Sequence, residues 1–402
     1  MADDVVTREE LDRVLESVYE WSRQRNYRGH TKHDALNSPL LQATLGWSKW
    51  TRILAIQAVM RFPVNIRTLL LVPKTQNPKG IALFVRGLLD RYRVDRAPRH
   101  LAEAEQLLEL LLTLRSPGRW DGDCWGYPYP WQDLGFYAPP HTPNAVVTCF
   151  VAEAFLDAYR QTHNARYLDT VGQATDFLLK NLTVLKDTED ELCLGYMPLP
   201  MQMRVMDVSI LIGSLVAQYA VLTGNITSQR TAQRLLNYVM GQQTDYGAWY
   251  YTDPPGDSPI RHDNYHTGFI LDALWRYMQV TGDRAWMDAY NKGIEFYAMR
   301  LFNNDGSPRW MSDRNYPHDI HGAAQGIITF ARHRREHPEL AERVARWALD
   351  TMYHPDGRFY YQEGRFWKKR FTLMRWCNAW MALALAHLHL HLSNEASPHE
   401  RN

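Results

Sequence analysis

Cysteine is scarce in this chain, four residues in 402, and Cys124, Cys149, Cys193 and Cys377 are scattered with no C-x-x-C pair among them. That argues against a disulfide framework and a thiolate zinc site. The chain opens Met-Ala-Asp-Asp-Val-Val rather than with a basic and then apolar leader, so a reducing, cytoplasmic setting is expected and a secretory signal is not. Neither charge is in excess: 45 Lys and Arg against 44 Asp and Glu leave a formal +1, which supplies no bulk field to attract nucleic acid. No apolar run approaches the roughly 18 residues that a membrane span needs. Strand signals are sparse too, chiefly Trp249-Tyr250-Tyr251 and Arg358-Phe359-Tyr360-Tyr361, and read as small hairpins inside loops.

What is plentiful is helix-forming apolar sequence and aromatic rings. Hydrophobic residues make up 45%, charged residues 22%, and aromatics 12% with 14 Trp and 22 Tyr. Buried Trp and Tyr need partners for N–H and O–H, so a share of them is expected at a half-wet cleft. From Pro78 a pattern recurs every 50 to 65 residues or so: a small-residue apolar helix, a short link, a second helix, then a long loop rich in Trp, Tyr, Gly and Asp. The spacing predicts helical pairs at 78–92 with 98–115, 142–162 with 166–181, 206–223 with 226–241, 264–281 with 283–302 and 320–334 with 338–352. A last helix at 372–392 is expected to pair with one at 39–61 and close a ring of six hairpins. Residues 7–24 read as an amphipathic helix capped by Thr7, with residues 1–38 packing on the ring. The expected fold is an all-α (α/α)6 toroid spanning 1–402, with short β-hairpins at one end. Links such as Thr223-Gly224-Asn225 are short and the other loops long, so all long loops fall at one mouth, where the inner helices start.

Three constellations reach that mouth. Arg119 to Asp133 packs Asp121, Asp123, Trp125, Tyr127, Trp131, Gln132 and Asp133 into one loop; flat rings stack on sugar faces while carboxylates take hydroxyls, although Gly-Tyr-Pro turns plugging the barrel are a plainer use. Asp263 and His266 sit three apart at a helix start, either as an N-cap with a first-turn neighbour or as an acid/base pair. His318, Asp319 and His321 form a similar group, serving as helix cap, acid/base set or hydroxyl ligands. Their spacing is not H-E-x-x-H, so no metal is expected, nor any cofactor. Gln243 to Trp249 lies within a Q-x-x-x-G-x-W spacing seen in terpenoid cyclases, without their D-x-D-D acid.

Gly29 to Ser38, Asn65-Ile66-Arg67, Asn77-Pro78-Lys79-Gly80, Cys124-Trp125-Gly126-Tyr127, Asp263 to Gly268, Pro317 to His321 with Gln325, and Met374-Arg375-Trp376 together resemble a little-characterised family of toroidal proteins associated with bacterial polysaccharide biosynthesis. This chain departs from the family pattern at Thr31 and Asp207. The resemblance implies a toroid similar to N-acylglucosamine 2-epimerases, unsaturated glucuronyl hydrolases and uronyl C5-epimerase toroid domains. It implies an oligo- or polysaccharide substrate, with uronic acids a candidate component, and association with glycan-assembly enzymes. The first expectation for chemistry is glycoside hydrolysis by Asp263 and Asp319 as paired carboxylates, helped by His266, His318 and His321. The alternatives are proton abstraction by a uronate epimerase or lyase with Arg375 as charge clamp, and a glycan-binding protein without catalysis. Further substrate contacts are expected from His33, Asp34, Arg67, His141, Asn144, Asp207, Trp249, Tyr265, Gln325, Tyr360 and Trp376.

Overall fold

A computed structural model describes residues 6–333, 337 and 339–396. Helix α1 (Arg8–Arg23) comes first, then the short α2 (Pro39–Leu45) and α3 (Lys49–Arg61). Five helical hairpins follow: α4 (Pro78–Asp95) with α5 (Pro98–Thr113), α6 (Ala145–Thr162) with α7 (Ala165–Lys180), and α8 (Met206–Thr223) with α9 (Ile226–Met240). After these come α10 (Asn264–Thr281) with α11 (Met287–Leu301), and α12 (Ile320–Ala331) with α13 (Leu340–Met352). A π-helical turn at Arg375–Ala379 leads into α14 (Trp380–Ala396). The helix ends expected at 334 and 338 lie outside the described residues, as does the start of the chain up to residue 5.

Helices α4, α6, α8, α10, α12 and α14 each pack on the next, and α14 packs back on α4. The ring is closed, and the chain is an (α/α)6 toroid. Inner helices are apolar nearly all round because both faces are covered: every residue from Ala145 to Leu156 is buried, and so is all of Ile320–Ala331. Helix α8 is as long and apolar as a membrane span, contrary to the expectation that no run comes close; here it is an inner helix, mostly buried. Outer helices bury one stripe each, as Tyr167, Val171, Ala174, Phe177 and Leu178 show on α7. Arg96, His163, Gly224 and Gly282 end four inner helices in the left-handed conformation, which turns the chain sharply toward the outer partner. Gly268 permits close approach of two inner helices: a Cβ there would lie 2.3 Å from Gln325 Cγ.

The sixth hairpin differs from expectation. Helix α14 pairs with α1, not with 39–61. Helix α1 carries a buried stripe of Leu11, Val14, Leu15, Val18 and Tyr19, with Thr7 Oγ1 accepting from the Glu10 N–H at 3.2 Å as its cap. The 39–61 segment is split by Gly46-Trp47-Ser48, and only Ala55, Ile56 and Val59 of α3 are buried. With Ala35 and Leu36 these form a second, small core against Trp131, separate from that of the ring. Residues 30–72 therefore make a canopy over the mouth. Strands are two to four residues long: His318–Asp319 pairs with Gln362–Glu363, and Arg358–Phe359 with Tyr353–His354. Trp249–Tyr251 is not strand; Thr252–Asp253 beside it pairs with Arg204–Val205.

Candidate active site

Inner-helix N-termini bring their first residues together under the canopy. Lys79 comes from the first turn of α4, Asp207 from that of α8, and Tyr265 and His266 from that of α10. Asp319 and His321 start α12, and Arg375 and Trp376 stand in the π-turn before α14. Asp263 occupies the N-cap position of α10 without capping it; its Oδ2 instead accepts from His266 Nδ1 at 2.8 Å. Asp319 does cap α12, Oδ1 accepting from the His321 N–H at 3.0 Å and from Trp376 Nε1 at 2.7 Å, while Oδ2 accepts from Gln362 Nε2 at 2.8 Å. Both of its oxygens are thus committed to the protein.

His266 and His321 both lie against Tyr265, with ring centroids 4.3 and 4.4 Å away, and both contact Phe269. Their electrostatics are opposite. Burial pulls the His266 pKa down, but Asp263 and Asp207 outweigh it, so the net shift is upward and the imidazolium is favoured. Burial, then the charges of Lys79, Arg375 and Lys32, drive His321 well below its ordinary value, so it is neutral. Neither ring nitrogen of His321 has a hydrogen-bond partner, nor has Oδ1 of Asp207, whose pKa burial raises. A buried polar atom left open calls for a partner, which a water or a bound ligand can supply.

Three cations face the same space. Lys79 Nζ lies 3.9 Å from the ring centroid of Phe150 and 4.8 Å from that of Phe269. Lys32 Nζ lies 4.0 Å over Trp376. Arg375 stands over Tyr127 and Trp376, its Nε donating to Thr31 Oγ1 at 3.2 Å. None of the three has a carboxylate within 4 Å among the described residues. Burial lowers Lys32 to about 8 and drives Lys79 well below its ordinary value. Lys32 and Lys79 were not among the expected site residues. The available signal was a lysine at the second position of a small-residue inner helix, where the other positions are core.

Several expected residues lie elsewhere. Trp125 is wholly buried, Nε1 donating to Leu111 O of α5, and Trp249 likewise donates to Val239 O of α9. The Asp121 N–H donates to Asn181 Oδ1 after α7 and its Oδ2 accepts from Asn181 Nδ2, and Asp123 pairs with Arg115. His318 is held by Pro308 O and the ring of Trp347 on α13; Gln325 donates to Asp272 at the far end of the bore. Tyr360 contacts His354 in an outer hairpin, and Asn144 caps α6. Tyr127 and Trp131 stay near the mouth, joined by Tyr196, which had not been expected there. His141 turns the chain there in left-handed geometry, its N–H donating to Tyr127 O. Gln132 and Asp133 shape the hairpin after Trp131, Gln132 Oε1 accepting from Arg52.

The canopy is anchored by Arg67 and Asp34, an ion pair at 2.7 Å that is almost wholly buried, with Arg67 also donating to Lys32 O. His33 sits between Trp131 and Trp376. Arg67→Ala leaves Asp34 buried without its partner, a loss of about 3–5 kcal/mol. Because the canopy has its own small core, limited proteolysis of that variant is expected to cut within 30–72 first, with the ring resistant; a cutting pattern identical to the parent would show that the pair does not hold the canopy.

No described protein family and no curated protein sequence matches the chain. Solved structures do, as folds. A cellobiose 2-epimerase from Bacillus thermoamylovorans superposes with a TM-score of 0.59 at 12% identity, over 81% of this chain and 90% of that one. An unsaturated glucuronyl hydrolase specific for heparin gives 0.59 at 12%, over 81% and 89%, and a GH76 α-mannanase from Bacteroides thetaiotaomicron gives 0.57 at 14%, over 81% and 88%. The chain shares the toroid of carbohydrate-active enzymes, and that fold hosts several chemistries.

Proposed function

We propose that this protein is a carbohydrate-active enzyme that moves a proton on carbon in a uronic-acid-containing glycan, inverting a sugar centre beside its carboxylate. The observation that carries the reading is the pair of histidines around Tyr265, one with its pKa raised by Asp263 and Asp207 and the other with its pKa driven down by burial, facing three buried basic side chains without acidic partners. In the proposed step neutral His321 takes the proton from the carbon next to the carboxylate. The C–H electron pair passes into the carboxylate, whose added charge Arg375, Lys79 and Lys32 neutralise. His266 then returns a proton from its other ring nitrogen to the opposite face, with Asp263 holding the ring and its charge. The reading agrees with the epimerase among the similar folds. The setting proposed from the motif resemblance is bacterial glycan assembly or trimming in the cytoplasm, beside glycan-assembly enzymes.

Hydrolysis through Asp263 and Asp319 fits less well, since both oxygens of Asp319 are taken by three donors. One observation favours a different hydrolytic pair: Asp207, raised by burial and open at Oδ1, beside the Asp263 carboxylate, would join an acid to a base. Incubating uronic-acid and neutral oligosaccharides with the protein in D2O and in ¹⁸O-water separates the readings by mass. Deuterium on carbon in uncut chains is the expected result. Unsaturated fragments would mean elimination by the same histidines, ¹⁸O in fragments would mean hydrolysis, and tight binding with no change would mean a glycan-binding protein.

A further inference from the structure

The outer surface of the canopy is unusually apolar. Trp47, Trp50 and Leu54 are 76%, 68% and 60% exposed, Leu69 is 79% and Phe366 is 86%. Single exposed apolar residues need no explanation, but Trp47, Trp50 and Leu54 recur at helical spacing through the start of α3, and Leu69 and Phe366 belong to segments tied to that helix. Helix α3 packs beside the Trp131–Gln132 strand at one end. At the other end Lys369 Nζ donates to Met60 O at 2.8 Å, tying the hairpin that carries Phe366 to the end of α3.

The charge around the patch is of one sign. No acidic residue occurs between Asp34 and Asp90, whereas Lys49, Arg61 and Lys74 are exposed there. Arg365 and Arg370 flank Phe366, and the hairpin's one acid, Glu363, is taken by Lys368 at 3.0 Å. Asp133 follows the Trp131–Gln132 strand that α3 packs beside.

We infer that this face docks on an anionic lipid surface. Indole and aliphatic groups ringed by lysine and arginine suit the headgroup region, where the rings enter the acyl boundary and the cations meet lipid phosphates. A second copy of the chain is a poorer occupant, because a two-fold contact would bring the same cations together with almost no carboxylate to pair them. Docking this way sets the mouth of the toroid against the bilayer, and it stands independently of the reaction proposed above.

Co-sedimentation of the full chain with vesicles tests it, using phosphatidylcholine alone and phosphatidylcholine with about one-third phosphatidylglycerol. Binding is expected on the anionic vesicles, about tenfold or more tighter than on the neutral ones and weakened by salt. Trp47→Ser with Trp50→Ser, and separately Lys49→Glu with Arg61→Glu, are each expected to lower it by about tenfold or more; all four positions are exposed, so both variants should fold. No binding to either vesicle, or equal binding by parent and both variants, would overturn the inference. So would a parent that is dimeric by ultracentrifugation, ignores vesicles and becomes monomeric in the tryptophan variant, which would make the face a self-association surface.

Discussion

Replacing His321 by glutamine is expected to lower turnover on the uronate substrate by about 10²- to 10⁴-fold, the usual worth of a positioned acid/base group, with substrate affinity little changed. The side chain sits among Tyr265, Trp376 and Trp380 with both nitrogens open, so its loss removes a proton acceptor and no internal hydrogen bond. The pH profile follows from the two shifts. His321 must be neutral, and its pKa is pushed well below the ordinary 6.5; His266 must be protonated, and its pKa is raised above 6.5. In the direction begun by His321, kcat/KM should rise as pH climbs through the lower value, level off, and fall as pH climbs through the higher one. His266→Gln should abolish the alkaline limb along with most of the rate. A His321→Gln enzyme as fast as the parent would take His321 out of the reaction.

Lys79→Met is expected to raise stability while impairing function. Lys79 is buried against Phe150, Phe269 and Trp380 with no carboxylate partner, and a buried unpaired ammonium is costly. Burial followed by repulsion from Arg375 lowers its pKa, so the unfolded chain binds the proton more readily than the folded one. That cost is carried in full below the folded pKa and relieved as pH rises from there toward the ordinary 10.5. Methionine has similar length and no charge, so urea unfolding should show the variant more stable than the parent near neutrality, the gap closing toward about pH 10. The same substitution should raise KM for an anionic glycan by about 10- to 100-fold, the worth of one charge-assisted contact. Equal stability at every pH would mean that folding does not lower the Lys79 pKa, and an unchanged KM would remove it from the substrate site.

Some of the site was legible because it is local. Asp263 and His266 are three residues apart at a helix start, within reach of each other whatever the rest of the chain does, and Asp319 caps a helix beginning one residue later. The loop from Arg119 to Asp133 shows where that reasoning stops. Its composition suits a sugar throughout, yet Asp121, Asp123 and Trp125 turn outward to α5 and the end of α7, while Tyr127 and Trp131 turn to the mouth. Direction in an irregular loop depends on what it lands against, which no periodicity records.

The sequence by itself determined the ring and its open end, since short links and long loops alternate and force every inner helix to start at the same mouth. Tertiary structure alone decided that α1, not the 39–61 segment, closes the ring, because an apolar stripe says that a face is buried without saying against what. It alone decided, too, that Lys32 and Lys79 face the histidines. A lysine is read as surface until the folded chain leaves it inside, and only packing over long sequence distances can place a charge where its cost has a use.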